Sequence, residues 1–175
     1  MAFDSLVAPL LRVPLFRGLK PLQITEIARR SERMMYRPGD MLIEEGQEAE
    51  AAILIISGDA IRVSGPDNMG RAEAIEPGSL LAEMGMLIET QHSSTVVART
   101  PIRALRVTRV ELLAQMAEDP DLADHFVQRI AGRLTAMATE LRRVDGAMAR
   151  STEISVPTAT GRMLPPPATT SMPLH

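Results

Sequence analysis

Two groups of polar residues in this sequence are of the right types, and close enough together, to do chemistry. Glu83 opens the short stretch Glu83-Met84-Gly85-Met86-Leu87, and the run Gln91-His92-Ser93-Ser94-Thr95-Val96 follows it. A carboxylate at the start of a short helical turn accepts hydrogen bonds, as from a sugar hydroxyl. Ser93, Ser94 and Thr95, together with backbone N–H groups around them, can donate to a phosphate. The two groups therefore suit a ligand with a sugar at one end and a phosphate at the other. Glu83 has a second reading as a carboxylate stabilised by the N–H groups of its own turn. His92 likewise reads either as a phosphate contact or as an exposed loop residue.

Other chemistries find little support. The chain has no cysteine, which removes thiolate metal sites, iron–sulfur sensing and cysteine nucleophiles. His125 and His175 share no metal-binding spacing with His92. Ser93 and Ser94 adjoin His92, but sequence neighbours rarely reach each other as nucleophile and base, so no catalytic residue and no enzymatic activity are expected. The net charge of -3 argues against a broadly cationic nucleic-acid surface, and the 2% aromatic content leaves few rings on which bases could stack. No apolar run approaches the length of a membrane span, and Met1 to Pro14 lacks the pattern of a leader. A cytoplasmic protein without membrane attachment is expected.

The elements that would position these residues follow from periodicity and punctuation. Apolar residues from Ala2 to Arg33 fall at helical spacing, with a helix starting near Pro21 and carrying Leu22, Ile24, Ile27 and Ala28. Arg37-Pro38-Gly39-Asp40, Glu45-Gly46, Ser57-Gly58-Asp59 and Glu76-Pro77-Gly78 read as turns or breaks, and Gly65-Pro66-Asp67-Asn68 as a loop. Between them, Met41–Ile43, Ala52–Ile56, Ala60–Val63 and Ala72–Ile75 read as short strands. Thr95–Ala98 and Ile102–Val107 close the same sheet system, an arrangement typical of barrels and sandwiches. The period then lengthens, and Val110, Leu112, Leu113 and Met116 mark a short helix before Asp119-Pro120.

A longer helix is expected from about Leu122 to Asp145. Its apolar residues Val127, Ile130, Leu134, Met137, Leu141 and Val144 recur at alternating steps of three and four, a heptad seam on which two copies could pair. The same stripe also suits a helix covering its own sheet. Arg129, Arg133, Glu140, Arg142 and Arg143 would face solvent or a partner. From Ser151 to His175, with Pro157, Pro165, Pro166, Pro167 and Pro173, a disordered tail is expected.

The stretch from Leu81 to Met86, with Gln91 to Val96 after it, resembles the phosphate-binding cassette of the cyclic-nucleotide-binding domain family. That cassette typically reads Phe-Gly-Glu-Leu-Ala-Leu and then Pro-Arg-Ala-Ala-Thr-Val. The interval from Glu83 to His92 equals the family's interval from glutamate to arginine. Val13-Pro14-Leu15-Phe16, Arg37-Pro38-Gly39-Asp40, Glu45-Gly46, Ile55-Ile56-Ser57-Gly58 and Asp119-Pro120-Asp121-Leu122 resemble other family segments in the same order, so the likeness covers about residues 13 to 145.

The resemblance implies an α+β, mainly β fold: a β-roll or jelly roll of about eight strands, with N-terminal helices, a short cassette helix and a long C-terminal helix. The expected divisions are a helical segment at 1–36, the β-roll at 37–108, hinge and dimerisation helices at 109–146 and the tail at 147–175. By resemblance, Glu83 holds the ribose 2′-hydroxyl, and Ser93, Ser94 and Thr95 complete the phosphate cradle, with Ala82 and Met84 beside the ligand. Three positions depart from the pattern: His92 replaces the arginine, and Ala82 and Ala49 replace glycines. Arginine carries a permanent charge and a planar fork, whereas histidine is mostly neutral near pH 7.

Two functions follow. One is a sensor for cyclic AMP or cyclic GMP that signals through its C-terminal helix to an unidentified protein partner. The other is a ligand-free domain kept as a dimerisation or adaptor module. Both are expected to form a homodimer. Neither is expected to bind DNA directly or to hold a cofactor or metal.

Overall fold

In a computed structural model of the chain, residues 4–63 and 72–153 are described. Three helical pieces come first: α1 (Asp4–Arg12), a 3-10 turn (Pro14–Phe16) and α2 (Pro21–Arg30). Ten strands follow among the described residues. They are β1 (Glu32–Tyr36), β2 (Met41–Ile43), β3 (Glu48–Ala49), β4 (Ala51–Ser57), β5 (Ala60–Val63), β6 (Glu73–Ile75), β7 (Leu80–Leu81), β8 (Thr90–Gln91), β9 (Thr95–Ala98) and β10 (Ile102–Thr108). A second 3-10 turn, Glu83–Met86, lies between β7 and β8, and α3 (Arg109–Glu118) and α4 (Pro120–Glu153) end the described chain. The fold is mixed α+β, as expected, with ten strands rather than about eight. No helix among the described residues is long and apolar enough to cross a membrane.

The strands form antiparallel sheets in the orders β1-β10-β4-β7 and β2-β9-β5-β6, with β3 and β8 as a separate ribbon. The continuous apolar run of β4 is explained by burial on both faces. Ala52 and Leu54 join Leu105 and Val107 of β10 in a core shared with the helices, where Leu10, Phe16, Ile24, Ile27, Leu112, Leu122 and Phe126 pack. Ile53 and Ile55 point the other way and join Ile102, Ala104, Leu42, Ile75 and Val96 between the two main sheets. Strand alternation thus sends neighbouring residues of one segment into two different cores. Gly58 at the end of β4 has φ +92, and a Cβ there would lie 2.3 Å from the Pro101 carbonyl oxygen, so only glycine fits this turn.

The helical reading from Ala2 stops at Arg30. Glu32 to Tyr36 instead form an edge strand whose register pairs Glu32 with Arg106 of β10, an ion pair at 2.8 Å. The exposed polar residues Glu32 and Arg33 favour neither period, and hydrogen bonding to β10 decides.

A polar junction joins α2, α3 and α4. The buried Gln23 accepts from the Lys20 N–H at 2.9 Å through Oε1 and donates to Asp119 Oδ2 at 2.8 Å through Nε2. Its backbone oxygen accepts from Gln115 Nε2 at 3.1 Å. Asp119 Oδ1 in turn caps α4 by accepting from the Leu122 N–H at 3.2 Å, ahead of Pro120 in the first turn. The bond from Gln23 holds the Asp119 carboxyl below its ordinary value. Its contribution to stability is therefore present above the ordinary carboxylate range and is lost as pH falls through the lowered folded value.

The first turns of α4 are also tied to the 3-10 turn. Phe126 meets Phe16 edge to face at 6.2 Å between centroids, and His125 Nε2 lies 2.9 Å from the Leu15 carbonyl oxygen. Arg129 donates to the Arg17 carbonyl oxygen at 2.7 Å. His125 is thus an anchor for the N-terminal segment, as is Arg129, read from the sequence as facing solvent or a partner.

The chain divides into two units between Gly132 and Arg133. In the second unit the helical residues 133–143 are all exposed. Helix α4 extends beyond Asp145 to Glu153, into the tail expected at 147–175, and residues 154–175 lie outside the described residues.

Replacing Asp119 with alanine removes both a helix cap and a partner of buried Gln23. We expect a lower urea midpoint at pH 7 with an unchanged slope.

Candidate functional site

The cassette lies where the chain leaves one core for the other. Leu81, at the end of β7, belongs to the core between the sheets, whereas Met86 and Leu87 belong to the helical core. The turn Glu83–Met86 makes that crossing in a few residues, closed by the Gly85 N–H donating to the Ala82 carbonyl at 2.9 Å. The Leu87 and Ile88 N–H groups then both donate to the Met84 carbonyl, at 3.0 and 2.9 Å. The turn packs against β3, β4, β8 and α3.

Two small residues determine how closely it packs. A Cβ built on Gly85 would lie 2.7 Å from the Ala49 Cβ, so the turn rests directly on buried Ala49 of β3. The methyl group of Ala49, at a position where the family pattern has glycine, already fills the space over Gly85. The Ala82 backbone immediately before the turn is left-handed, with φ 51 and ψ 37, the only non-glycine positive φ among the described residues. That is the conformation for which the family's glycine is suited, and an L-residue held in it is strained by about 1–2 kcal/mol.

The second half of the cassette is fixed by backbone pairing. In the β3–β8 ribbon Glu48 faces Gln91 and Ala49 faces Thr90. The ladder continues into His92, whose N–H donates to the Gln47 carbonyl and whose carbonyl accepts from the Gly46 N–H, both at 2.9 Å. Its imidazole is half-buried, and burial holds its pKa below the ordinary histidine value, so it is neutral near pH 7. Ser93 is exposed and Ser94 buried. Thr95 opens β9 and accepts from the Glu45 N–H at 3.0 Å, with its hydroxyl hydrogen left to donate.

The structure places Glu83 and Met84 on the turn, with Ala82 just before it, and brings that turn against β8, which leads directly into His92, Ser93 and Ser94. Glu83 is half-buried there. Among the described residues no three His, Asp or Glu side chains stand together as a metal site. Val127, Leu134, Met137 and Leu141 are exposed, at 59%, 58%, 57% and 66%. Ile130 packs instead against the helical core of its own chain, and the side chain of Val144 lies outside the described residues.

Arg109 was missed in the sequence. It starts α3 and donates through Nη1 to the Ile88 carbonyl at 2.9 Å and the Ala49 carbonyl at 3.2 Å. No spacing rule marks an arginine that bonds main-chain oxygens on two distant segments. The only sequence signal was its place beside Thr108, which caps α3 by accepting from the Glu111 N–H.

Paired antiparallel sheets, a short helical turn and hydroxyl bend set into one edge, and helices after the last strand define the class of regulatory β-rolls. Residues 33–119 match the cyclic nucleotide-binding domain model, and the chain belongs to that family. It is 31% identical over 97 residues to a cAMP-dependent protein kinase regulatory subunit of Aspergillus fumigatus, covering 55% of this chain and 23% of that protein. It is 28% identical over 131 residues to the cyclic AMP receptor protein of Thermus thermophilus, covering 73% of this chain and 60% of that protein. Among solved structures it resembles a cyclic nucleotide-binding-like protein of Brucella abortus, with TM-score 0.60 and 28% identity, covering 65% of this chain and 99% of the other. The chain thus spans less than two thirds of the length of these curated relatives.

Ala82→Gly should relieve the left-handed strain while adding a smaller unfolded-state entropy cost. The expected net gain is about 0.5–1 kcal/mol, read as a raised urea midpoint with an unchanged slope.

Proposed function

We propose that this chain is a sensor whose cassette binds cyclic AMP or cyclic GMP weakly at neutral pH and which signals through α3 and α4 to a partner protein. The observation that supports the reading is the packing of the Glu83–Met86 turn against β8, the strand that leads into His92, Ser93 and Ser94. In this reading Glu83 accepts from the ribose hydroxyl, and Ala82 and Met84 flank the ligand. His92, Ser93, Ser94 and Thr95 surround the cyclic phosphate. The proposal includes a cytoplasmic location and no direct contact with DNA.

His92 sets the strength and the pH dependence. A neutral imidazole offers one N–H in place of a charged fork, and losing a charge-assisted contact of about 1.5–3 kcal/mol weakens binding roughly ten- to a hundredfold. Burial lowers the imidazole pKa in the free chain, whereas a bound anion raises it. Affinity therefore rises as pH falls through the bound-state value and levels off below the free-state value. The ligand-free chain has the opposite trend. His92 stabilises the fold above the ordinary histidine range, and that contribution is lost as pH falls through its lowered folded value.

Calorimetry with cyclic AMP and cyclic GMP on the native chain and on His92→Arg tests this reading. The arginine variant should bind about tenfold to a hundredfold more tightly, and the native chain should bind better at pH 5.5 than at pH 7.5. Nanomolar binding by the native chain with no gain from arginine would refute the role given to His92.

A second reading, a ligand-free dimerisation or adaptor module, is favoured by the strained Ala82 and by the methyl group of Ala49 over Gly85. Both readings include a homodimer through the seam of Val127, Ile130, Leu134, Met137, Leu141 and Val144. Exposure of Val127, Leu134, Met137 and Leu141 supports it, and the half-buried Ile130 would sit at its margin. Light scattering at micromolar concentration should give twice the chain mass, and a monomer would contradict it.

A further inference from the structure

The Arg109 side chain is only 16% exposed, and its guanidinium faces two segments, β3 and the stretch after the cassette turn. Nη1 is shared between the carbonyl of Ile88, just after the cassette turn, and that of Ala49 on β3. Nη2 lies 3.6 Å from a carboxylate oxygen of Glu48, and the Arg109 backbone N–H donates to the Glu50 carbonyl at 2.8 Å. The Glu48 side chain is 63% exposed, so that ion pair adds little, and the carbonyl bonds fix the guanidinium.

Ala49 is held from two directions. Gly85 of the cassette turn presses on it with no room for a Cβ, and Arg109 bonds its carbonyl. A shift of the turn must therefore move Ala49 or Ile88, and either movement pulls on the residue that starts α3. We propose that Arg109 is the positioning residue through which the state of the cassette reaches the first turn of α3. Lysine is not equivalent, because its ammonium is a mobile point charge on a flexible stem, whereas the rigid guanidinium plane fixes the directions of the two Nη1 N–H bonds. The functional consequence rests on the ligand reading above, whereas the mechanical coupling is a property of the free chain.

Hydrogen exchange by mass spectrometry on the full chain tests the coupling, using Arg109→Met and Arg109→Lys in both the native and the His92→Arg backgrounds. Without ligand, both variants should exchange roughly tenfold faster or more at residues 87–90 and 110–115 together, with β4 unchanged. With cyclic AMP on His92→Arg, protection should appear in the cassette and in α3. Adding Arg109→Met should keep the first and abolish the second. Unchanged ligand-free exchange in α3, or α3 protection that survives Arg109→Met, would overturn the proposal. If His92→Arg failed to bind cyclic AMP, the ligand reading would fall, and the ligand-free comparison would still decide the role of Arg109. Arg109→Lys keeps the charge and the aliphatic stem, so it separates the loss of the rigid guanidinium from a general loss of folding.

Discussion

The sheet β1-β10-β4-β7 carries apolar side chains on both faces, and the rest of the structure depends on that burial. One face needs helices to cover it, which brings α1, α2, α3 and the start of α4 together around Phe16 and Phe126. The other face needs the second sheet, which closes the roll. A chain leaving β7 must pass from one core to the other around the sheet edge, and the cassette turn is that passage. The site is therefore built into the crossing and shares residues with both cores.

This position makes small changes consequential. At Gly85 and Ala49 the turn and β3 meet without spare space, and at Ala82 the backbone adopts a conformation that favours glycine. Both features act on the folded state before any ligand arrives. The Ala82 strain, about 1–2 kcal/mol, is felt with or without ligand and so lowers stability more than affinity. His92 is different, because a missing charge matters only when an anion is present. In the proposed reading, histidine in place of arginine is therefore the dominant effect on binding, and the alanines are the dominant effects on packing.

Much of this architecture was legible in the sequence. The turns at Pro38-Gly39, Gly58 and Pro77-Gly78 and the strands β2, β4, β5, β6, β9 and β10 follow from local periodicity and punctuation. The family resemblance supplied the order of the parts. Strands β3, β7 and β8 are two residues long, too short to show a period. The edge strand β1 was hidden in an apparent helical pattern because its partner, β10, lies about seventy residues later. The tertiary hydrogen bonds of Arg109, His125 and Arg129 went unread for the same reason: each ends on a main-chain carbonyl of a distant segment. Within the cassette, residue types gave the chemistry of Glu83 and the hydroxyl bend. The lowered pKa of His92 and the strain of Ala82 required burial and a backbone angle.

The proposed account turns on a half-buried, neutral histidine that takes a proton when an anion binds. Following the His92 ring by NMR across pH 4.5 to 8.5, without and with saturating cyclic AMP, measures this directly. The account predicts a pKa below the ordinary histidine value in the free chain and a clear rise on adding the nucleotide. An ordinary value in the free chain that cyclic AMP leaves unmoved would contradict it.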